Sequence, residues 1–173
     1  VKDRLEEIDR IVITTHESAI RIISKQGKLA NAADRDHCLQ YMAAVPLIFG
    51  SLTAEHYEDS FHQANPVIDS IREKMEVVED ERYTREYLEE DKRSIANALQ
   101  VFFKDGSSTD KVAAEYPIGH RRRRKDGIPL LEDIFYSNLA TRFTGSPSEH
   151  ILRLCKDQKA FASTHVQGFE ALF

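Results

Sequence analysis

The sequence predicts an α+β fold: a small antiparallel sheet with helices packed on one face, followed by a helical tail. Three observations predict it. The β-branched run Ile11-Val12-Ile13-Thr14-Thr15 reads as a strand. Lys104-Asp105-Gly106-Ser107 is hairpin-turn chemistry between two strand-like stretches, 94–103 and 111–116. Apolar residues at helical spacing recur on both sides of that hairpin. A chain of 173 residues with 41% apolar content can bury one sizeable core and carry an appendage.

Within residues 8–23 the first half is strand; the second half, His16 to Ile23, fits either a continued strand or a helix. Residues 31–49 predict one helix. Asn31 caps it with Asp34 three positions on, and Asp34 and Asp36 place negative charge in its first turns. Cys38, Met42, Val45 and Phe49 form one apolar stripe, with His37, Tyr41, Ala44 and Ile48 beside it. Pro46 should kink or end this helix, and Gly50 should stop it. Thr53 can cap a short helix through Phe61 by its hydroxyl alone, since His56 replaces the acid of a capping box. Asn65-Pro66 opens another helix at Val67, with Ile68, Ile71 and Met75 on one side. Residues 75–91 mix strand character at Met75, Val77 and Val78 with an acidic pattern, eight acids against two arginines from Glu76 to Asp91, which predicts a solvated stretch with loops. Leu99, Val101 and Phe103 share a strand face. After Gly127-Ile128-Pro129 a helix carries Leu130 to Phe143. Ser146 or Ser148 starts a last helix with Ile151, Leu152 and Cys155, and 169–173 is an apolar tail.

Composition excludes several function classes. No stretch approaches 18 uncharged apolar residues, so no membrane span is expected. Cys38 and Cys155 form neither a disulfide framework nor a metal pattern, and P-loop, G-x-G-x-x-G and H-E-x-x-H motifs are absent. The start resembles no signal or transit peptide and is strand-like within ten residues, as expected of a fragment. A reducing, intracellular setting is expected. A net charge of -5 argues against general nucleic-acid binding.

Two clusters can carry chemistry. Asp34, Arg35, Asp36 and His37 put two acids, a cation and an imidazole near a helix start, where Arg35 could hold a carboxylate and His37 move a proton. Tyr41, one helical turn beyond, could orient His37. The bland alternative is a surface capping cluster. The second is Gly119-His120-Arg121-Arg122-Arg123-Arg124-Lys125, an exposed cationic run in an acidic chain. It lacks the interleaved aromatics of a nucleic-acid face. It can clamp a polyvalent carboxylate or pair with the acids of 76–91 or a neighbouring domain. His16, His56, His62, His150 and His165 read as structural.

Three blocks then carry a resemblance: Ala33-Asp34-Arg35-Asp36-His37-Cys38-Leu39-Gln40-Tyr41, Lys92-Arg93-Ser94-Ile95-Ala96-Asn97-Ala98, and Glu115-Tyr116-Pro117-Ile118-Gly119-His120-Arg121-Arg122-Arg123-Arg124. They resemble the carboxy-terminal part of the MmgE/PrpD family. The resemblance implies a chorismate-mutase-like α+β lid over residues 1–126 and a helical segment over 127–173. It also implies a helical amino-terminal catalytic domain that lies outside this chain. It implies a homodimeric hydro-lyase that eliminates water from 2-methylcitrate without a cofactor or metal, in propionate catabolism. A decarboxylase of cis-aconitate is the same-fold alternative, and a binding or assembly module the non-catalytic one. By this resemblance His37 is the catalytic residue, with Arg35, Tyr41, His120, Arg121 and Arg122 binding the tricarboxylate. It also implies a mitochondrial protein in a eukaryote and a cytoplasmic one in a bacterium.

Overall fold

β1 (Ile8–Thr15) organises the sheet by using both of its edges. It pairs in parallel with β2 (Met75–Glu79) and antiparallel with β3 (Asn97–Phe103), which pairs antiparallel with β4 (Val112–Ala114). The order is β2-β1-β3-β4, so the sheet is mixed and not antiparallel throughout as the sequence suggested. Parallel neighbours need a long crossover, and here it contains five helices: α1 (Glu17–Ile23), α2 (Ala32–Asp36), α3 (Leu39–Phe49), α4 (Asp59–Ala64) and α5 (Val67–Arg72). The computed structural model describes residues 1–143 and 145–173, in two compact units, Val1–Pro117 and Ile118–Phe173. The division falls ahead of the 126/127 boundary drawn from sequence, and leaves the whole cationic run in the second unit.

Ile8, Ile11 and Ile13 meet Val101 and Phe103 of β3, Tyr41, Val45 and Ile48 of α3, and Ile68 and Ile71 of α5 in one core. Ile8 and Ile11 are an odd number of residues apart, so a regular strand would put them on opposite faces. A register shift between Ile8 and Arg10 lets both turn inward. Each fully buried side chain of this kind contributes about 1.5–3 kcal/mol.

Several elements differ from expectation for identifiable reasons. The open choice after His16 resolves as helix, because the His16 ring caps it, accepting from Ala19 N at Nδ1 (3.2 Å). Asn31 caps as expected, its Oδ1 accepting from Asp34 N at 2.9 Å, but the single helix of 31–49 breaks at His37 and Cys38 into α2 and α3. α3 runs through Pro46 and ends at Gly50, whose φ of +87° suits glycine alone and whose N–H bonds Pro46 O at 2.9 Å. At Thr53 the capping box is complete after all. The His56 ring takes the place of the acid, its Nδ1 accepting from Thr53 N at 2.8 Å, and the short helix is a 3-10 turn, Ala54–Tyr57, followed separately by α4.

The acidic stretch is not loop. It forms β2 and then α6 (Glu81–Leu88), capped by Asp80 Oδ1 accepting from Arg82 N at 2.9 Å. Its acids are paired locally: Glu86 is buried but takes Arg82 at 3.2 Å and Lys92 at 2.9 Å. The Lys92 hydrogen bond holds the Glu86 carboxyl below the usual carboxylate range.

The second unit is helical: a 3-10 turn Arg121–Arg123, then α7 (Arg124–Ala140), α8 (Ser146–Lys156), α9 (Gln158–Ser163) and α10 (Val166–Glu170). α7 starts inside the cationic run and not at Leu130, with Pro129 within its early turns. The apolar tail begins in the last residues of α10, and Phe173 packs edge-on against Phe143 and Phe169.

Candidate functional site

The break between α2 and α3 decides how the first cluster is displayed. Arg35 turns inward and is 1% exposed. Its Nε donates to Tyr57 O at 2.8 Å and its Nη2 to the Asp59 carboxylate, so the guanidinium ties α2 to the segment 57–59. His37, two residues on, turns outward with its side chain 63% exposed and Nδ1 2.5 Å from Asp36 Oδ1. An ionised carboxylate only accepts, so Nδ1 carries a proton on the side that faces Asp36. That is the arrangement of a histidine oriented as a base by an acid.

Tyr41 does not orient His37. With the helix interrupted between them, its hydroxyl donates to His56 O at 2.6 Å and its ring packs near Tyr57 and His62. Burial pushes the Tyr41 phenol up. Asp34 accepts from Ala30 N at 3.0 Å and from Lys25 Nζ at 3.3 Å, and those bonds draw its carboxyl below the ordinary range. Arg35 and Tyr41 are thus both buried and tied to the segment 56–59, while Asp36 and His37 project outward.

In the second unit, His120 caps the 3-10 turn: Nδ1 accepts from Arg122 N at 3.1 Å, and its carbonyl accepts from Arg123 N at 2.8 Å. Arg121 and Arg122 are exposed, and Arg123 reaches Asp126 at 3.9 Å. Gly127 of α7 lies against the Ile118 carbonyl so closely that a Cβ there would overlap it. The turn that carries His120 and the arginines is therefore seated directly on the first turns of α7. Such exposed guanidinium forks suit a polyvalent carboxylate.

His16, read from the sequence as structural, has a structural role that the sequence did not specify. It is buried at the β1–α1 junction, stacked on Tyr87 with ring centroids 4.3 Å apart. Burial lowers its pKa, and the neutral ring accepts at Nδ1, which leaves Nε2–H as a donor. Thr15 Oγ1 and Asn97 Oδ1, one step beyond the Thr14–Ala98 pair, are buried with no hydrogen-bond partner among the described residues. The available signal was a β-branched strand ending in Thr-Thr-His before a helical stretch. Histidine is not among the customary N-cap residues, which hid it. Among the described residues no group of three or more His, Cys, Asp and Glu side chains is placed to hold a metal ion. No helix among them is long and apolar enough to cross a membrane.

The chain belongs to the MmgE/PrpD family: the family's C-terminal domain matches residues 1–158. Among curated relatives, a 2-methylcitrate dehydratase of Cupriavidus necator is 53% identical over 163 residues, covering 94% of this chain and 34% of that protein. A 2-methylcitrate dehydratase of Escherichia coli strain K12 is 47% identical over 167 residues, with 96% and 34% covered. A mitochondrial 2-methylcitrate dehydratase of Yarrowia lipolytica is 50% identical over 147 residues, with 85% and 28% covered. The chain therefore spans about a third of the length of these relatives.

Proposed function

We propose that this chain is the carboxy-terminal part of a hydro-lyase that converts 2-methylcitrate to 2-methyl-cis-aconitate, in the cycle that degrades propionate. The observation that carries this reading is the 53% identity to a 2-methylcitrate dehydratase across 94% of the chain. In the elimination, a base removes the proton on the carbon next to a carboxylate. The neighbouring C–O bond breaks, the electron pair of the C–H bond becomes the double bond, and the hydroxyl leaves with a proton as water. His37 Nε2, its ring fixed by Asp36, is the group we assign to take the carbon-bound proton. Arg121 and Arg122, with His120 holding their turn, are assigned to substrate carboxylates, whose charge rises as the proton leaves.

The remaining groups would come from a helical amino-terminal domain, with the intact enzyme a homodimer needing no cofactor, and this chain alone inactive. The test supplies the full-length protein with 2-methylcitrate and follows the ultraviolet absorbance of the new conjugated double bond, with NMR to identify the product. Formation of 2-methyl-cis-aconitate is expected. Release of carbon dioxide from cis-aconitate instead would assign a decarboxylase, and turnover by the 173-residue chain alone would end the claim that it is inactive.

A further inference from the structure

We propose that the apolar groove between α1, α3 and the β3–β4 half of the sheet is the seat of a helix supplied by polypeptide that precedes Val1 in the intact protein. The groove has a volume of about 450 Å3. Its floor is Ile13, Leu99 and Val112, and its wall is Ala19, Leu39 and Met42. Ile13 is buried with Ile11 and Val101 and Leu99 is partly buried beside them, and Val112, paired with Leu99, carries the same face of the sheet on outward with little cover. Val112 is 70% exposed and Ile95, at the groove's edge, is 41% exposed. An apolar face of that kind on a core-facing side is the mark of a missing packing partner.

The occupant follows from size and from chain length. Three strands set about 4.8 Å apart offer a floor roughly 10 Å wide, the diameter of one α-helix with its side chains. The lining is side chains on the sheet face, not the open edge of β4, which favours a helix over an added strand. The relatives have about two thirds of their length outside the region this chain matches, and the matched region is the family's C-terminal domain. Polypeptide able to fill the groove therefore lies upstream. The inference rests on the reading of this chain as part of a longer enzyme, but not on which substrate that enzyme takes.

The test places a diazirine-bearing leucine analogue at position 112 of the intact protein, irradiates it, and maps the crosslink by mass spectrometry. A crosslink within one molecule to a peptide ahead of Val1 is expected. A band at twice the subunit mass would make a second copy the occupant. Insertion of water alone would leave the groove open to solvent. Either result overturns the proposal. Val112→Asp in the intact protein should also lower its thermal midpoint by several degrees, and an unchanged midpoint overturns the proposal too. If the intact gene product has no polypeptide ahead of Val1, the part-protein reading fails by itself, before any irradiation.

Discussion

His16 and His37 both mark the end of a helix, and the chain treats them in opposite ways. His16 caps α1 from inside the protein, neutral and stacked on Tyr87. His37 closes α2 from outside, its ring held by Asp36 and its other nitrogen in solvent. The difference comes from the neighbours. The Thr14-Thr15 strand end and α6 close over His16, with Thr84 Oγ1 accepting from Glu17 N at 2.9 Å. At the α2–α3 break, Arg35 takes the buried position and leaves the next two residues to project. The comparison teaches that an inward cation can be the means by which an outward base is presented.

The largest effect that would break this contrast is on turnover. In the full-length enzyme His37→Ala should lower kcat by about 10²–10⁴-fold with an unchanged melting temperature, the scale of a lost proton-transfer group. Unchanged turnover would reduce the Asp36–His37 pair to a surface cap. Arg35→Ala should act the other way round, costing about 2–4 kcal/mol in urea denaturation through the lost bonds to Tyr57 and Asp59 and the space left behind. Next comes His16→Ala, at about 1–2 kcal/mol for a lost cap and a lost ring stack, again by denaturation. Replacing Arg121 and Arg122 together by alanine should raise KM about tenfold, measured in steady state, if they hold carboxylate.

The smallest effect is a pH slope. Burial keeps the folded His16 below the ordinary histidine value of about 6.5. Below that value the unfolded chain binds the proton more readily than the folded one, so this stability is present above it and lost as pH falls. His16→Gln should flatten that part of a stability-versus-pH curve, and a slope unchanged by the substitution would place the dependence elsewhere.

Much of this was legible in the sequence. The strand at Ile11 to Thr15, the Asn31 cap, the Gly50 stop and the hairpin at Gly106 (φ +84°) all follow from local chemistry. β2 was legible only as strand character at Met75, Val77 and Val78, because as an edge strand it keeps Glu76 and Val78 exposed and runs into an acidic stretch. α6 was hidden by charges that turn out to pair with one another around Glu86. The break at His37 and Cys38 has no glycine or proline to announce it. It is set by Arg35 reaching the distant Tyr57 and Asp59, which no local pattern encodes. The exposure of the arginine run was legible, whereas its seating on Gly127 depends on a backbone approach visible only in three dimensions.

The parallel pairing of β1 with β2 also has a consequence in time. Ile11 finds Met75, and Ile13 finds Val77, only after the whole of α1 to α5 has been made. During synthesis the Ile-Val-Ile-Thr-Thr strand thus leaves the ribosome long before either of its neighbours. Strands of this composition associate with other chains while they wait, and distant pairings close slowly. The β3–β4 hairpin can form by itself, but it too must wait for β1 to be held. Overproduction of the chain should therefore be limited by the lifetime of an unpaired β1 more than by the stability of the finished sheet, and slower translation or lower temperature should raise the soluble yield.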